Sequence, residues 1–90
     1  MAVVALKIKI MPEGLETNLQ EIERKTEEKA KKLGAMNISF IEENVAFGLK
    51  ALIMTLAFPE EKDSSSLETD LSETEGVSLA QIIDYRRAFG

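Results

Sequence analysis

The chain has 90 residues, of which 44% are apolar and 30% charged, and its formal net charge is −5. This length and composition predict one small globular domain over residues 1–90 with a modest core. The chain contains neither Cys nor His, which excludes disulfides, thiol nucleophiles, structural zinc sites and imidazole bases. No secretory leader pattern and no apolar stretch of roughly 20 residues is present, which predicts a cytoplasmic protein without a membrane anchor.

Acidic residues concentrate in one part of the sequence. Residues 59–76 carry seven acids against the single Lys62, a local net charge of −6, whereas acids and bases cancel over residues 16–33. Proteins bind nucleic acids through clustered Lys and Arg that neutralise phosphates. The charge distribution therefore argues against direct binding of nucleic acid.

The first third of the chain predicts a strand followed by a helix. Apolar residues alternate over residues 3–11, as expected of a half-buried strand. They recur at helical spacing over residues 19–33, where Thr17 and Gln20 form a capping-box pattern and Gly34 closes the helix. Three pairs with the acid four residues before the base are expected on its solvent face: Glu21 with Lys25, Glu27 with Lys31, and Glu28 with Lys32.

Two strands and a connection are predicted in the middle of the chain. Residues 37–41 have strand character, and the polar residues 42–44 interrupt it. Residues 51–58 are nearly continuously apolar, which is typical of a strand in the interior of a sheet. The intervening segment is predicted to be a solvated hairpin.

The last third predicts a short helix and a closing strand. Ser65 and Glu68 have capping-box spacing, and apolar residues follow them at helical intervals. Residues 77–87 form the final predicted strand, with its apolar residues at Ile82, Ile83 and Tyr85.

The predicted order is strand, helix, strand, strand, helix, strand. This order predicts an α+β, ferredoxin-like βαββαβ sandwich, in which a four-stranded antiparallel sheet carries two helices on one face. The other face of the sheet is expected to present Lys7 and Lys9 to solvent or to a partner. The fold hosts many unrelated functions and does not identify one.

No pattern of catalytic residues is present. Glu42 and Glu43 are adjacent, and neighbours in an extended segment point to opposite faces, so joint acid–base catalysis is not expected. Ser64, Ser65 and Ser66 have no accompanying base, and the glycines are isolated rather than grouped into a phosphate-binding loop. The sequence predicts neither an enzyme nor a bound metal or cofactor.

Two features are not explained by packing alone. Phe47 precedes Gly48 between two predicted strands, and its ring is either displayed on a turn or folded into the core. Arg86 and Arg87 form a compact positive tip on an acidic protein, or they are merely solvated. The residues alone leave both alternatives open.

Several segments together resemble a known family. They are the opening strand up to Pro12, the run Val45-Ala46-Phe47-Gly48-Leu49-Lys50-Ala51-Leu52, the Glu75-Gly76-Val77 turn and the closing Asp84-Tyr85-Arg86-Arg87. In these segments the chain resembles archaeal translation elongation factor 1-beta and the exchange domain of its eukaryotic counterpart. The resemblance covers essentially the whole chain, and the Phe-Gly-Leu-Lys-Ala-Leu segment is its most specific part.

The resemblance implies a guanine-nucleotide exchange factor that promotes GDP-for-GTP exchange on translation elongation factor 1-alpha. It implies no bond-making catalysis and no direct contact with nucleic acid or membrane. Phe47, as the aromatic of the Phe-Gly motif, would insert into an apolar pocket of the GTPase, and residues near the chain's end would approach its Mg²⁺ and phosphate site. The implied partner-binding residues are Phe47, Gly48, Lys50, Arg86 and Arg87.

One departure and two alternatives accompany the resemblance. Eukaryotic members place a Lys next to the last residue, whereas this chain closes with two arginines followed by Ala88-Phe89-Gly90, which leaves Arg86 or Arg87 as its replacement.

The first alternative function is an RNA-binding domain of the same topology, which requires aromatics on the central strands. The second is a small-molecule or acyl-phosphate enzyme on the same scaffold. The oligomeric state is not predicted.

Overall fold

The computed structural model describes residues 2–87, in which four strands and two α-helices follow one another in the order βαββαβ. The strands are β1 (Val3–Pro12), β2 (Met36–Asn44), β3 (Lys50–Pro59) and β4 (Val77–Arg87), and the helices are α1 (Leu19–Leu33) and α2 (Ser65–Ser72). All strand pairs are antiparallel, in the order β2-β3-β1-β4. The predicted α+β ferredoxin-like architecture is confirmed. Neither of these two helices is long and apolar enough to cross a membrane.

The core lies between one face of the sheet and the two helices. Alternate residues of β1, from Val4 to Ile10, are at most 1% exposed, whereas Lys7 between them is exposed. Each such aliphatic side chain contributes ~1.5–3 kcal/mol on burial. The helical residues that pack onto this face are Ile22 and Ala30 of α1 and Leu67 and Leu71 of α2. Both helices therefore cover the same face, as the alternation in β1 predicts.

Strand β2 continues through the segment that was expected to interrupt it. Glu42 pairs with Leu52 of β3, and Asn44 pairs with Lys50 at the end of the hairpin. The carboxylates do not break the strand because they lie at an exposed end of the sheet, where they remain solvated and form ion pairs. Backbone pairing with the buried strand β3 outweighs the low strand preference of these residues.

Helix α1 begins one residue later than the predicted capping box requires. The side chain of Asn18 accepts hydrogen bonds from the backbone N–H groups of Gln20 (3.0 Å) and Glu21 (3.2 Å). The Thr17 hydroxyl instead accepts from the N–H of Gly14 at 3.1 Å. Thr and Asn are both good capping residues. Because the Thr17 hydroxyl is engaged by Gly14 in the preceding turn, Asn18 caps the helix.

The C-terminus and charged face of α1 agree with the predictions in part. Gly34 is left-handed (φ 110°) and closes the helix, as predicted. Among the expected ion pairs, Glu27 binds Lys31 at 3.0 Å. Glu21 and Glu28 do not bind the expected lysines. Both instead bind the guanidinium of Arg24, at 3.1 Å and 3.3 Å.

Helix α2 is also capped differently from the prediction. The Asp63 carboxylate accepts from both the backbone N–H (3.0 Å) and the hydroxyl (2.7 Å) of Ser65, and these hydrogen bonds lower the pKa of Asp63. The predicted capping partner Glu68 points to the sheet, where its carboxylate accepts from the backbone N–H of Ile82 at 2.7 Å. Glu68 therefore ties α2 to the outer edge of β4.

Candidate functional site

The ring of Phe47 is displayed at the tip of the β2–β3 hairpin. Its side chain is 98% exposed, which settles the alternative that the sequence left open between display and burial. The residue is left-handed (φ 59°, ψ 35°), a conformation that costs an L-residue with a Cβ ~1–2 kcal/mol. The ring therefore contributes no packing to the fold, and its place is kept at a cost in backbone conformation.

The loop around Phe47 is held in one conformation by its own backbone. The N–H of Val45 donates to the carbonyl of Leu49 (2.8 Å), and the N–H of Leu49 donates to the carbonyl of Ala46 (3.1 Å). Gly48 follows Phe47 with φ 77°, so two consecutive residues are left-handed. Glycine adopts this conformation without steric cost, which explains its place after the displayed aromatic.

A groove lies beside the hairpin tip, between it and the β1–α1 loop. Its volume is about 220 Å³, and it is lined by four apolar residues together with two glycines, Thr17 and Lys50; the apolar ones are Pro12, Leu15, Leu19 and Leu49. Leu15 is 70% exposed, and its Cδ2 lies 3.9 Å from the position that a Cβ on Gly48 would occupy. Leu15 gives no signal in the sequence, because a single Leu in a turn belongs to no periodic pattern.

Phe47 and the two terminal arginines lie at opposite ends of the sheet. Arg86 pairs with Ala5 and Arg87 with Val4, near the beginning of β1. The Phe47 loop adjoins the other end of β1, because β3 begins at Lys50, two residues before the Leu52 that pairs with Ile10. Pro12, the last residue of β1, lies seven positions after Ala5, which corresponds to about 23 Å of strand. The structure therefore does not bring the two predicted parts of the site together.

Each predicted cation of the site is paired with a carboxylate of the same chain. Lys50 Nζ lies 3.5 Å from Glu42 Oε1, and Arg86 Nε lies 3.1 Å from Asp84 Oδ2. The Arg87 guanidinium donates to a carboxylate oxygen of Glu60, which raises the pKa of Arg87. The positive tip expected from the sequence is thus locally neutralised. Eukaryotic members carry a Lys next to the last residue, and the corresponding segment 88–90 of this chain lies outside the described residues.

The carboxylates of these surfaces do not form a common site within residues 2–87. Within residues 2–87 no three carboxylates converge on one point as metal ligands would. Glu42 and Glu43 contact different bases, because Glu43 Oε1 lies 3.3 Å from Lys9 Nζ whereas Glu42 binds Lys50. The two carboxylates therefore have different partners, and the hairpin tip presents an exposed apolar ring beside them in sequence.

The open face of the sheet differs from the helix-covered face. Lys7 is exposed as predicted, whereas Lys9 is only partly exposed and bound to Glu43. Ile53 of β3 is 4% exposed although it lies on this face. The residues that the central strands present here are aliphatic, Thr or Lys: Ala5, Lys7 and Lys9 of β1, and Ala51, Ile53, Thr55 and Ala57 of β3.

Comparison with known proteins gives a consistent result over nearly the whole chain. Residues 5–87 match the sequence model of the EF-1 guanine nucleotide exchange domain. The chain is 38% identical over 88 residues to the elongation factor 1-beta of Methanosarcina acetivorans, covering 97% of this chain and 99% of that protein. It is 34% identical over 89 residues to the elongation factor 1-beta of Metallosphaera sedula, covering 97% of each.

Proposed function

The chain belongs to the family of EF-1 guanine nucleotide exchange domains, and from that premise we propose that it promotes GDP-for-GTP exchange on translation elongation factor 1-alpha. Membership of this family supports a role in guanine nucleotide exchange during translation elongation. Elongation factor 1-alpha is the proposed partner, and particular residues are assigned below to the contact with it. The protein is proposed to act in the cytoplasm as a single exchange domain over residues 1–90.

The exposed ring of Phe47 carries this proposal. At 98% exposure the ring has no role in the core, and its left-handed backbone is retained at a cost in stability. Burying such a side chain in an apolar pocket of a partner supplies ~1.5–3 kcal/mol, and aromatics are frequent hot spots of interfaces. Phe47 is assigned to such a pocket on the GTPase, with Gly48 holding the turn and Lys50 at its base.

The proposed activity is a shift of a binding equilibrium and involves no bond-making step. A partner accelerates nucleotide release when its contacts favour the nucleotide-free GTPase over the nucleotide-bound form. By reciprocity, bound GDP must then weaken the complex by the same factor. The chain is therefore proposed to act without catalytic residues of its own.

Arg86 and Arg87 are assigned to a second, separate region of contact. Because this end of the sheet lies about 23 Å along β1 from the end that carries Phe47, one partner pocket does not receive both. The arginines are proposed to face the phosphate and Mg²⁺ site of the GTPase. Both guanidinium groups are exposed in their present pairs with Asp84 and Glu60, and ion pairs of exposed groups stabilise a fold little, so the guanidinium groups can change partners.

The alternative of an RNA-binding domain has less support. Such domains stack bases on aromatic rings of the two central strands. The open face of β1 and β3 carries aliphatic residues, Thr and Lys at those positions. Two aromatics are exposed among residues 2–87: Tyr85 lies on the edge strand β4, and Phe47 lies on a hairpin tip, where it suits insertion into a protein pocket.

Release of a fluorescent GDP analogue from elongation factor 1-alpha tests the proposal. The GTPase is loaded with the analogue and mixed with excess unlabelled GTP, with and without the chain. We expect the chain to accelerate release, and we expect it to bind the nucleotide-free GTPase more tightly than the GDP-bound form. An unchanged release rate, together with equal affinity for both forms, would contradict the proposal. Binding to single-stranded RNA at moderate salt would favour the alternative.

A further inference from the structure

Leu15 and the partly apolar groove beside it form a second surface feature at the Phe47 end of the sheet. Leu15 is 70% exposed on the β1–α1 loop, and Gly48 is part of the groove wall next to it. The groove volume of about 220 Å³ is larger than the ~150 Å³ of an engineered cavity that binds benzene. It therefore has room for one apolar side chain.

We propose that this groove receives an apolar side chain of the same GTPase surface that accepts Phe47. This inference rests on the proposed function. The contact is then reciprocal: Phe47 enters the partner, and a partner side chain enters the groove, with Leu15 as the exposed wall. The two features are continuous, because Gly48 directly follows Phe47 and lines the groove. Leu15 is thereby assigned as a partner-binding residue.

The charge around the groove indicates the chemistry of the partner surface. Glu13 and Glu16 flank Leu15 in the loop, both are exposed, and neither forms an ion pair with any residue of the range 2–87. An apolar centre with a polar rim is the usual anatomy of a protein interface. Lys50, which lines the groove, is already paired with Glu42 at 3.5 Å, so the two glutamates are the charges left to a partner. The complementary patch on the GTPase is therefore apolar and bordered by Lys or Arg.

The β1–α1 loop is already ordered for such a contact. The Gly14 N–H donates to the Thr17 hydroxyl (3.1 Å), and the Thr17 N–H donates to the Gly14 carbonyl (3.2 Å). The Glu13 N–H donates to the carbonyl of Gly76 at 2.9 Å, which ties the loop to the turn before β4. A loop held in its bound conformation loses little entropy on association.

Affinity measurements on matched variants test this inference. Leu15→Ala and Leu15→Lys are compared with Ile41→Ala, which removes a similarly exposed (65%) aliphatic side chain from the open face of the sheet. We expect Leu15→Ala to weaken binding to nucleotide-free elongation factor 1-alpha about tenfold. Leu15→Lys should weaken it further, because the new Lys would face the Lys or Arg residues that border the GTPase patch. Ile41→Ala should leave the affinity unchanged, and all three variants should keep the wild-type melting temperature.

The outcomes separate this inference from the function on which it rests. If the wild-type chain accelerates nucleotide release but both Leu15 variants bind within twofold of wild type, the groove is not part of the interface and the inference is wrong. If the wild-type chain does not accelerate release, the proposed function itself fails. The proposed Lys and Arg border on the GTPase is tested separately. Glu13→Gln combined with Glu16→Gln should slow association and reduce its dependence on salt. If the double variant associates at the wild-type rate and with the wild-type salt dependence, the GTPase patch is not bordered by Lys or Arg.

Discussion

Phe47 and Arg86 mark opposite ends of the same sheet, with Phe47 on the hairpin beyond the end of β1 and Arg86 paired with Ala5 near its beginning. A partner that contacts both residues must extend along the length of the strands. The Phe47 end offers an aromatic ring without intramolecular packing, whereas the arginine end offers cations already paired with Asp84 and Glu60. The two ends are therefore expected to respond differently to mutation.

Gly48 and Gly14 provide a matched pair for testing the hairpin tip. Gly48 has φ 77°, so Gly48→Ala places a Cβ in a left-handed residue and should lower the free energy of unfolding by about 1–2 kcal/mol. Gly14 has no positive φ, and a Cβ there meets nothing within 4 Å, so Gly14→Ala should be neutral or slightly stabilising. Urea denaturation of both variants measures the difference. Equal stability of the two variants would show that the tip is not constrained by Gly48.

The pairing of Arg87 with Glu60 predicts opposite effects of two substitutions. If Arg87 contacts the GTPase, Arg87→Ala should slow nucleotide exchange, whereas Glu60→Gln frees the guanidinium and should maintain or raise the rate. Neither change should shift the melting temperature markedly, because the Arg87 side chain is exposed and Glu60 is partly exposed. Exchange rates measured at low and moderate salt check the prediction. A rate unaffected by Arg87→Ala would remove this residue from the mechanism.

The contact between Glu68 and the edge of β4 should matter for stability. Glu68→Ala leaves the Ile82 N–H without its protein acceptor and should cost about 1–3 kcal/mol, since hydrogen bonds to charged groups are the stronger ones. Glu73→Ala is the control, because Glu73 is exposed and its side chain forms no hydrogen bond or ion pair within the described chain. Thermal denaturation compares the two. The freed strand edge should also increase self-association at high concentration, which light scattering detects.

Asp63 predicts a loss of stability in acid. The hydrogen bonds from Ser65 lower the pKa of Asp63 in the folded chain, so its contribution is present above the ordinary Asp value near 4 and is lost as the pH falls through the lowered value. The difference in melting temperature between wild type and Asp63→Ala should therefore be largest near neutral pH and shrink below about pH 4. A difference that stays constant down to about pH 2 would contradict this role.

The overall fold could be predicted from sequence because it depends on periodicity. The alternation in β1 and the helical spacing in α1 identify which residues face the core, and Gly34 marks a helix end by its left-handed conformation. The N-terminal caps could not be placed in the same way. Thr17 and Asn18 are both good caps, and Glu68 could serve either its own helix or the sheet, so only tertiary contacts decide between the possibilities.

The candidate site was predictable only in part. The motif around Phe47 identified the displayed aromatic, but Leu15 lies in a turn whose importance comes from its proximity to Gly48 in space. The separation of Phe47 from Arg86 follows from the strand topology, in which β4 runs back toward the beginning of β1. The resemblance assigns the two motifs to different parts of the partner, and only the topology shows how far apart they lie.

The effect of Phe47 on nucleotide exchange is the most direct test of this account. Phe47→Ala should reduce the acceleration of GDP release from elongation factor 1-alpha at least tenfold, as expected when a buried aromatic contact worth ~1.5–3 kcal/mol is lost. Because the ring is 98% exposed, the melting temperature should stay at the wild-type value, and Phe47→Gly should even raise it by relieving the left-handed backbone. Exchange at the wild-type rate, or a marked fall in melting temperature for Phe47→Ala, would contradict the claim that this displayed ring drives exchange.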